Sequence, residues 1–388
     1  MNILFDLASL YYWPQYEPVF FELTRRGHTC KVCVHAHDEN TGPIDHFLEQ
    51  VRTPSAFHLV PEQRRLEEYV WDAPDWIVFG DGNFDQFSEL SVGTHTALLY
   101  HGIGVKSSYY EKRTSLFDVR FTEGTFRHNV LRSMYPDARF EDVGFAKLDP
   151  LFNPEYFNFE PIQLNTLGLR EDRPTLLYAP TFYPSSIECM PEDWPARLNN
   201  CNVIIKPHFF TLSKRKYHEQ RKLLARWQRF DNVHIASAGS VSLLPYMAIS
   251  DILVSEASSS LFEFAALNKP IIWLDSLHLR WSYRGIFRYR FNRRMDNIID
   301  EYRDVALHLG SPAELRSAVD SQLSDRNMFA PQRLRATTEL IGYTDGKASL
   351  RIADYLERFQ LGADGKEKGA DKLHAARGIA EYAGANGG

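Results

Sequence analysis

Short apolar runs that end in glycine, serine or histidine recur along this chain, and patterns typical of helices separate them. In the first half these runs are NILFDLA, KVCVHAH, DWIVFGDG, TALLYHGIG, DVRFTEG and FEDVGFAK. A second series consists of PTLLYAPTF, NVIIKPHFF, NVHIAS, DILVSEASS and KPIIWLD. Strands that alternate with helices favour parallel sheets covered by helices on both faces. The sequence therefore predicts an α/β protein built from two consecutive doubly wound domains.

The length of the chain, 388 residues, exceeds what one ordinary hydrophobic core accommodates. We predict a Rossmann-like domain over residues 1–155 and another over 156–335, joined by a Pro- and Asn-rich segment at 151–173. A helix over 336–359 is expected to return toward the N-terminal domain, and the Gly-, Ala- and Lys-rich tail 360–388 is expected to be mostly disordered. Two such domains would enclose a ligand cleft at the carboxyl ends of their strands.

The amino-acid composition limits the classes of protein to which the chain can belong. Hydrophobic residues make up 44% of the chain and charged residues 24%, which is typical of a globular protein. The net charge of -6 gives no indication of nucleic-acid binding. No apolar run approaches the roughly 20 residues of a membrane span, and no basic segment precedes the first apolar residues as in a secretory signal. The sequence therefore predicts a cytoplasmic protein.

Two of the four cysteines, Cys30 and Cys33, have a C-x-x-C spacing, and His35 and His37 follow closely. Such a spacing can bind zinc. The segment HTCKVCVHAH is typical of a strand, however, and residues three apart on a strand point to opposite faces. A second C-x-x-C does not occur in the sequence. We therefore expect ordinary strand cysteines and no metal site.

The stretch SEASSSLFEF lies where the strand DILVS is expected to give way to a helix. Ser260 and Glu263 have the S-x-x-E spacing of a capping box, which would be a purely structural role. That role leaves Ser258 and Ser259 unexplained. Hydroxyls beside the N–H groups of a helix N-terminus suit a diphosphate, and Glu263 could instead accept hydrogen bonds from a ribose. A helix cap and a phosphate site both remain open.

Two histidines follow predicted strands, one in each half of the chain. His101 precedes Gly102 and is placed to act as a general base, or it has a structural role. Lys206 and His208 end the strand of NVIIKPHFF and could face the same cleft, while Lys106 could bind phosphate or be solvated. Histidines from both domains, a lysine and a serine cluster suit phosphoryl transfer, which requires positioning and charge stabilisation.

Six segments, taken in order, resemble the CDP-glycerol glycerophosphotransferase family, which includes teichoic acid polymerases and primases. These segments are YHGIGVK, GFAKLD, LLYAPTF, IIKPHFF, SEASSSLFEF and YTDGKAS. The sequence departs from the family pattern at Lys147, Phe209, Glu256, Ala257 and Glu263. The resemblance implies a GT-B fold, in which two Rossmann-like domains face a central cleft.

The resemblance also implies an activity: transfer of a polyol phosphate, with CDP-glycerol as the first candidate donor, onto a cell-surface glycan, capsule or lipid-linked acceptor, releasing CMP. It implies that His101 is the base on the acceptor hydroxyl and that His208 stabilises the donor phosphates. The implied donor-binding residues are Thr181, Lys206, Ser258, Ser259, Ser260, Glu263, Asp345, Gly346 and Ser349. The implied contacts with the acceptor or its phosphates are Gly102, Lys106, Lys147 and Asp149. No cofactor and no metal are implied.

Other functions remain open at this point. A nucleotide-sugar glycosyltransferase or UDP-sugar 2-epimerase of the same fold would use the same serines with a uridine donor. A catalytically inactive scaffold would bind a nucleotide without turnover. Two basic stretches, 213–230 and 278–294, are either solvated surface or a surface that contacts anionic membrane lipid or guides a phosphate-containing acceptor. The sequence does not decide between glycerol and ribitol donors.

Overall fold

The computed structural model of the chain describes residues 1–36, 41–103, 107–279, 285 and 297–362. Lys106, most of the second basic stretch and nearly all of the predicted tail lie outside these residues. None of the described helices is long and apolar enough to cross a bilayer.

The first half of the chain forms a parallel sheet. Its strands are β1 (Asn2–Leu7), β2 (Thr29–Ala36), β3 (Phe57–Pro61), β4 (Trp76–Phe79), β5 (His95–Leu99), β6 (Val119–Thr122) and β7 (Phe140–Asp142). They are ordered β3-β2-β1-β4-β5-β6-β7. Its helices are α1 (Trp13–Arg25), α2 (Thr41–Leu48), α3 (Arg65–Asp72) and α4 (Gly124–Met134). Every residue of β4 and β6 is buried, as expected for strands of a sheet covered on both faces.

The second half repeats the same plan. Its strands are β8 (Thr175–Tyr178), β9 (Asn202–Ile205), β10 (Val233–Ile235), β11 (Ile252–Ser255), β12 (Ile271–Leu274) and β13 (Leu307–Leu309), ordered β10-β9-β8-β11-β12-β13 and all parallel. The strand order reverses between β8 and β11, and in such sheets ligands bind at the carboxyl ends of the strands beside that point.

Nine further α-helices lie in the described part of the chain. They are α5 (Asp149–Phe152), α6 (Pro154–Phe157), α7 (Phe209–Ser213), α8 (His218–Trp227), α9 (Leu244–Ile249), α10 (Ser259–Ala265), α11 (Leu315–Ser324), α12 (Ala330–Leu340) and α13 (Ala348–Gln360). The sequence predicted one helix over 336–359, whereas the structure has the end of α12, a turn and then α13. Gly342 and Gly346 in this turn have φ of 77° and 66°, a conformation that ends a helix and favours glycine.

The last two helices join the halves. α12 contacts α10 of the second half and α4 of the first, where Gly124 allows the backbones to approach closely. α13 packs on α1 through Ile352 and Leu356, which belong to the buried cluster of the first half. At the edge of this contact, Arg26 Nη1 lies 2.7 Å from carboxylate oxygens of both Asp354 and Glu357. The last described helix therefore packs on the first half of the chain.

The C-x-x-C pair lies on β2, as predicted. Cys33 belongs to the buried side-chain cluster on one face of the sheet, whereas Cys30 packs against the cluster on the opposite face. His35 is buried and its Nε2 lies 2.5 Å from Asp6 Oδ1. Across the described ranges, no group of three or more His, Cys, Asp or Glu side chains is arranged to hold a metal ion.

Candidate active site

A cavity of about 280 Å³ lies where the carboxyl ends of strands from both halves meet. Its walls come from the segments after β1, β5 and β7 in the first half, and after β8, β9, β10, β11 and β12 in the second. Ten of the residues singled out from the sequence line it, namely His101, Gly102, Lys147, Thr181, Lys206, His208, Ser258, Ser259, Ser260 and Glu263. The fold thus brings together side chains that are far apart in the sequence.

His101 is held in one orientation at the end of β5. Its Nδ1 lies 2.8 Å from the carbonyl oxygen of Gly80. A carbonyl only accepts hydrogen bonds, so Nδ1 carries the proton and Nε2 of the neutral ring carries the lone pair. The ring stacks on Tyr12 at a centroid distance of 4.1 Å, and the Tyr12 hydroxyl donates to Asp81 at 2.8 Å. This tautomer is the one that a general base requires at Nε2.

His208 has the opposite tautomer. It is the N-cap of α7, and its Nδ1 accepts the backbone N–H of Phe210 at 3.0 Å. The proton of the neutral ring therefore lies on Nε2, from which it can be donated to a phosphate oxygen. The ring centroids of Phe182 and Phe210 lie 4.6 and 5.1 Å from that of the imidazole, and these rings restrict its rotation. One histidine is thus prepared to accept a proton and the other to donate a hydrogen bond.

Tyr11, which the sequence analysis did not single out, contacts both histidines. Its ring centroid lies 5.0 Å from that of His101 and 5.4 Å from that of His208. Burial raises the pKa of Tyr11 to about 12, so its hydroxyl stays protonated at neutral pH and can donate a hydrogen bond. The available signal was its position, since Tyr11 lies three residues after the end of the first predicted strand.

Two lysines also line the cavity, and one of them is paired with a carboxylate. Lys147 Nζ lies 2.7 Å from Glu263 Oε2, and Glu263 is only 1% exposed. Lys206 is 8% exposed, and its ammonium group has no ion pair within the described part of the chain. Burial, reinforced by the charge of Lys147, lowers the pKa of Lys206 to about 8. A bound anion would favour the charged form of Lys206, so the site is suited to a negatively charged ligand.

The serine stretch begins a helix differently from the predicted capping box. α10 starts at Ser259, and Ser258 is the N-cap residue with an extended backbone. Ser260 therefore lies inside the helix, where it cannot cap the N-terminus, and the Glu263 carboxylate pairs with Lys147 instead. The predicted capping box between Ser260 and Glu263 is therefore wrong. The two residues have the S-x-x-E spacing, but this spacing does not show at which residue the helix begins.

The serine hydroxyls form a cluster at the junction of the two halves. Ser258 Oγ lies 2.5 Å from Ser260 Oγ, and Ser255 Oγ lies 3.2 Å from each of them. Ser255 also donates to a backbone carbonyl at 2.6 Å. A Cβ placed on Gly102 would lie 3.4 Å from Ser259 Oγ, so this serine faces the loop that carries His101. Hydroxyls from the second half thus border the loop that carries His101.

Glu256, noted in the sequence only as a departure from the family pattern, fixes one wall of the cavity. It is 1% exposed and accepts the backbone N–H groups of Thr181 and Ser186 at 2.9 and 2.5 Å. The Ser186 hydroxyl donates to the same carboxylate at 2.5 Å, and the Thr181 hydroxyl donates to the carbonyl of Pro184. Burial raises the pKa of Glu256 to about 7 despite these hydrogen bonds.

Glu256→Gln should change how stability depends on pH. Because the folded-state pKa is raised, the contribution of Glu256 to stability is fully present below its ordinary pKa of 4.5 and is lost as pH rises through about 7. The free energy of unfolding of the wild type, relative to the variant, should therefore fall by roughly 2 to 3 kcal/mol between pH 4.5 and pH 8. Urea unfolding at several pH values in this range measures this change, and Glu171→Gln at an exposed position is the control. A difference in the free energy of unfolding between wild type and variant that does not change with pH would contradict the raised pKa of Glu256.

Asp149 is not among the described residues that line the cavity. Its Oδ1 accepts the backbone N–H of Ala348 at 3.0 Å, and its Oδ2 accepts the N–H and hydroxyl of Ser349 at 2.7 and 2.6 Å. These are the first residues of α13, so the carboxylate caps this helix. Burial nevertheless raises the pKa of Asp149 to about 6. The geometry gives Asp149 and Ser349 a structural role and does not support contact with a substrate.

The remaining residues of the C-terminal turn also lie away from the cavity lining. Asp345 forms an ion pair with Arg351, six residues along the chain. A Cβ placed on Gly346 would lie 2.5 Å from Cβ of Asn153, so the glycine is required for close packing. The segments GFAKLD and YTDGKAS therefore bind each other, and of their predicted site residues only Lys147 reaches the cavity.

Comparison with known proteins identifies the family. Residues 105–358, well over half of the chain, match the model of the CDP-Glycerol:Poly(glycerophosphate) glycerophosphotransferase family. The chain belongs to this family. The resemblance seen in the sequence is confirmed, and the protein is an enzyme of the glycerophosphotransferase type. A search of curated proteins gave no match.

Solved structures show the same architecture. The wall teichoic acid polymerase TagF superposes with a TM-score of 0.65 at 15% identity, covering 94% of this chain and 90% of that chain. UDP-GlcNAc 2-epimerase from Neisseria meningitidis, bound to UDP-GlcNAc, gives a TM-score of 0.57 at 15% identity, with coverage of 92% and 100%. At this identity the similarity concerns the fold, which is GT-B as predicted.

Proposed function

We propose that this glycerophosphotransferase takes glycerol phosphate from CDP-glycerol and transfers it to a hydroxyl of a glycan or lipid-linked acceptor of the cell surface, releasing CMP. The observation that carries the proposal is one cavity holding two histidines in opposite tautomers beside a buried lysine that has no counterion among the described residues. The family to which the chain belongs supports the reaction class. A similar polymerase structure, a histidine variant, was soaked with CDPG, which supports the choice of donor.

The proposed step needs only a base and charge stabilisation. The acceptor hydroxyl attacks the phosphorus that bears glycerol, and His101 Nε2 accepts the hydroxyl proton. A new phosphodiester P–O bond forms while the bond from that phosphorus to the bridging oxygen breaks. CMP leaves with the bridging oxygen and its electron pair. The Nε2–H of His208 and the ammonium group of Lys206 stabilise the negative charge on the two phosphates.

The other lining residues receive supporting roles in this proposal. The serines Ser258, Ser259 and Ser260 would donate hydrogen bonds to the donor, and the Thr181 loop would border it. Glu263 Oε1 is buried and has no hydrogen-bond partner among the described residues, while Oε2 pairs with Lys147, and this oxygen would accept a hydrogen bond from the ribose. The absence of a side chain at Gly102 would allow the acceptor to approach His101.

Thermal unfolding with nucleotides tests the donor directly. CDP-glycerol at about 100 times its Kd should stabilise the protein by about 2.7 kcal/mol, and CMP should also raise the melting temperature. The variant Ser258→Ala/Ser259→Ala should lose much of this shift because it removes two hydroxyls from the cavity. Ser321→Ala/Ser324→Ala on the exposed face of α11 provides the matched control. Absence of any shift with cytidine compounds would overturn the proposed donor.

A second candidate follows from the fold similarity to a UDP-GlcNAc 2-epimerase. If only UDP and UDP-GlcNAc stabilise the protein, a uridine donor replaces CDP-glycerol in the proposal. This alternative therefore gives a pattern of melting temperatures different from that expected for glycerol phosphate transfer from CDP-glycerol.

A further inference from the structure

Three consecutive cations connect α7 to α8. Within the residues that the structure describes, Lys214, Arg215 and Lys216 form no ion pair with an acidic side chain, and the last two are exposed. This loop belongs to the first of the two basic stretches found in the sequence. An uncompensated run of positive charge on a surface attracts anions and is a candidate docking site.

The cations of the next helix are arranged differently. Lys222 Nζ lies 2.8 Å from Glu219 Oε1, and Arg226 forms an ion pair with Glu192. Both of these basic residues are exposed, as the loop cations are, but their charge is locally compensated. Arg221 and Arg229 also have no acidic partner among the described residues, but the three consecutive cations without ion pairs lie at the N-terminal end of the stretch.

This end of the stretch adjoins the cavity. Lys214 Nζ lies 4.0 Å from the ring centroid of Phe210. The same ring forms part of the cavity wall. Its centroid lies 5.5 Å from that of the Tyr11 ring and 5.1 Å from that of the His208 ring. The ring of Phe210 therefore lies between Lys214 and His208. A ligand that reaches into the cavity on this side would pass the loop.

The loop is held in place by the chain itself. Arg221 of α8 donates from Nη1 to the backbone carbonyls of Thr211 and Lys214 at 2.9 and 2.8 Å. These hydrogen bonds fix the start of the loop against both helices. A fixed loop loses less conformational entropy when it binds a ligand, which favours a binding role.

An anionic membrane fits this surface less well than a soluble polyanion does. Peripheral membrane binding combines basic residues with apolar side chains that enter the bilayer. The large apolar side chains that are strongly exposed, such as Trp71 and Val92, lie elsewhere, and none of those in the described structure falls between residues 209 and 230. The loop thus offers charge without a membrane anchor.

We infer that Lys214, Arg215 and Lys216 bind successive phosphate groups of a polyanionic acceptor and direct its terminal hydroxyl toward His101. The inference rests on the proposed function, to which it adds the side of acceptor entry and the residues that select a phosphate-rich chain. Phosphate binding by such residues depends strongly on salt, because each contact releases counterions.

The test compares two double variants with the same change in charge. Arg215→Gln/Lys216→Gln neutralises the loop, and Lys222→Gln/Arg226→Gln neutralises the paired cations of α8. Fluorescently labelled inorganic polyphosphate serves as the probe, and its anisotropy gives the Kd at several salt concentrations. We expect the loop variant to bind about tenfold more weakly with a shallower salt dependence, and the α8 variant to change the Kd by less than about twofold.

Several results would overturn the inference. An equal increase in the Kd for polyphosphate in both variants would mean that binding depends only on the net charge of the protein. Unchanged polyphosphate binding by the loop variant, together with lost sedimentation on phosphatidylglycerol vesicles, would assign the loop to a membrane. The melting-temperature shift with CDP-glycerol is recorded on the same samples. Its absence in the wild type would refute the proposed donor, while the polyphosphate measurement would still decide the role of the loop.

Discussion

Replacing His101 with glutamine should lower the kcat for CMP release from CDP-glycerol by a factor of about 10² to 10⁴. The reason is that the Nδ1–H of His101 is committed to the Gly80 carbonyl, so that Nε2 is the basic nitrogen presented by the ring. Glutamine fills similar space but has no nitrogen that accepts a proton. Binding of CDP-glycerol should be nearly unchanged because the base acts on the acceptor. Steady-state kinetics and melting-temperature shifts separate the two effects.

His58→Gln provides the matched control, since it makes the same chemical change at an exposed position of β3. This variant should retain the wild-type kcat. If His101→Gln also retained a kcat within about twofold of the wild type, His101 would not be the base. A loss of activity accompanied by an equal loss of CDP-glycerol affinity would contradict the role in a different way, since it would place the histidine on the donor.

Replacing His208 with asparagine should lower kcat by a factor of about 10² to 10³ without destabilising the fold. The His208 Nδ1 caps α7, and the side-chain oxygen of asparagine is among the best N-cap acceptors. Asparagine therefore preserves the cap but does not place an N–H where the histidine Nε2 donates to the phosphates. Kinetics at saturating CDP-glycerol and urea unfolding measure the two properties.

His208→Ala complements this variant because it removes both functions. It should lose as much activity as the asparagine variant and, in addition, about 0.5 to 2 kcal/mol of stability. Full activity in His208→Asn with reduced activity in His208→Ala would show that the histidine acts only as a helix cap. The assignment to phosphate stabilisation would then be withdrawn.

The architecture was accessible from the sequence because it follows from local patterns. Runs such as DWIVFGDG and DILVSEASS are apolar because strands of a parallel sheet are buried on both faces. The residues that follow such runs lie at the carboxyl ends of the strands, so His101, Lys206 and His208 could be assigned to one cleft. Their convergence on one cavity follows from the parallel topology that the sequence predicted.

The details that the sequence did not reveal depend on long-range contacts. Asp149 caps a helix 200 positions along the chain, and the Lys147–Glu263 pair joins the two halves of the protein. Neither partner has a local signature that differs from that of a substrate-binding residue. Tyr11 and Glu256 were missed for the same reason, because their partners are distant in the sequence: the two histidines for Tyr11, and Thr181 and Ser186 for Glu256.

The most direct test of the proposed activity is ³¹P NMR of the reaction with CDP-glycerol and a synthetic acceptor that ends in glycerol phosphate. We predict that the diphosphate signals decline while phosphodiester and CMP signals grow in equal amounts, and that His101→Gln suppresses both. Growth of the CMP signal without the phosphodiester would mean hydrolysis. Unchanged diphosphate signals with the wild type would contradict transfer from CDP-glycerol to this class of acceptor.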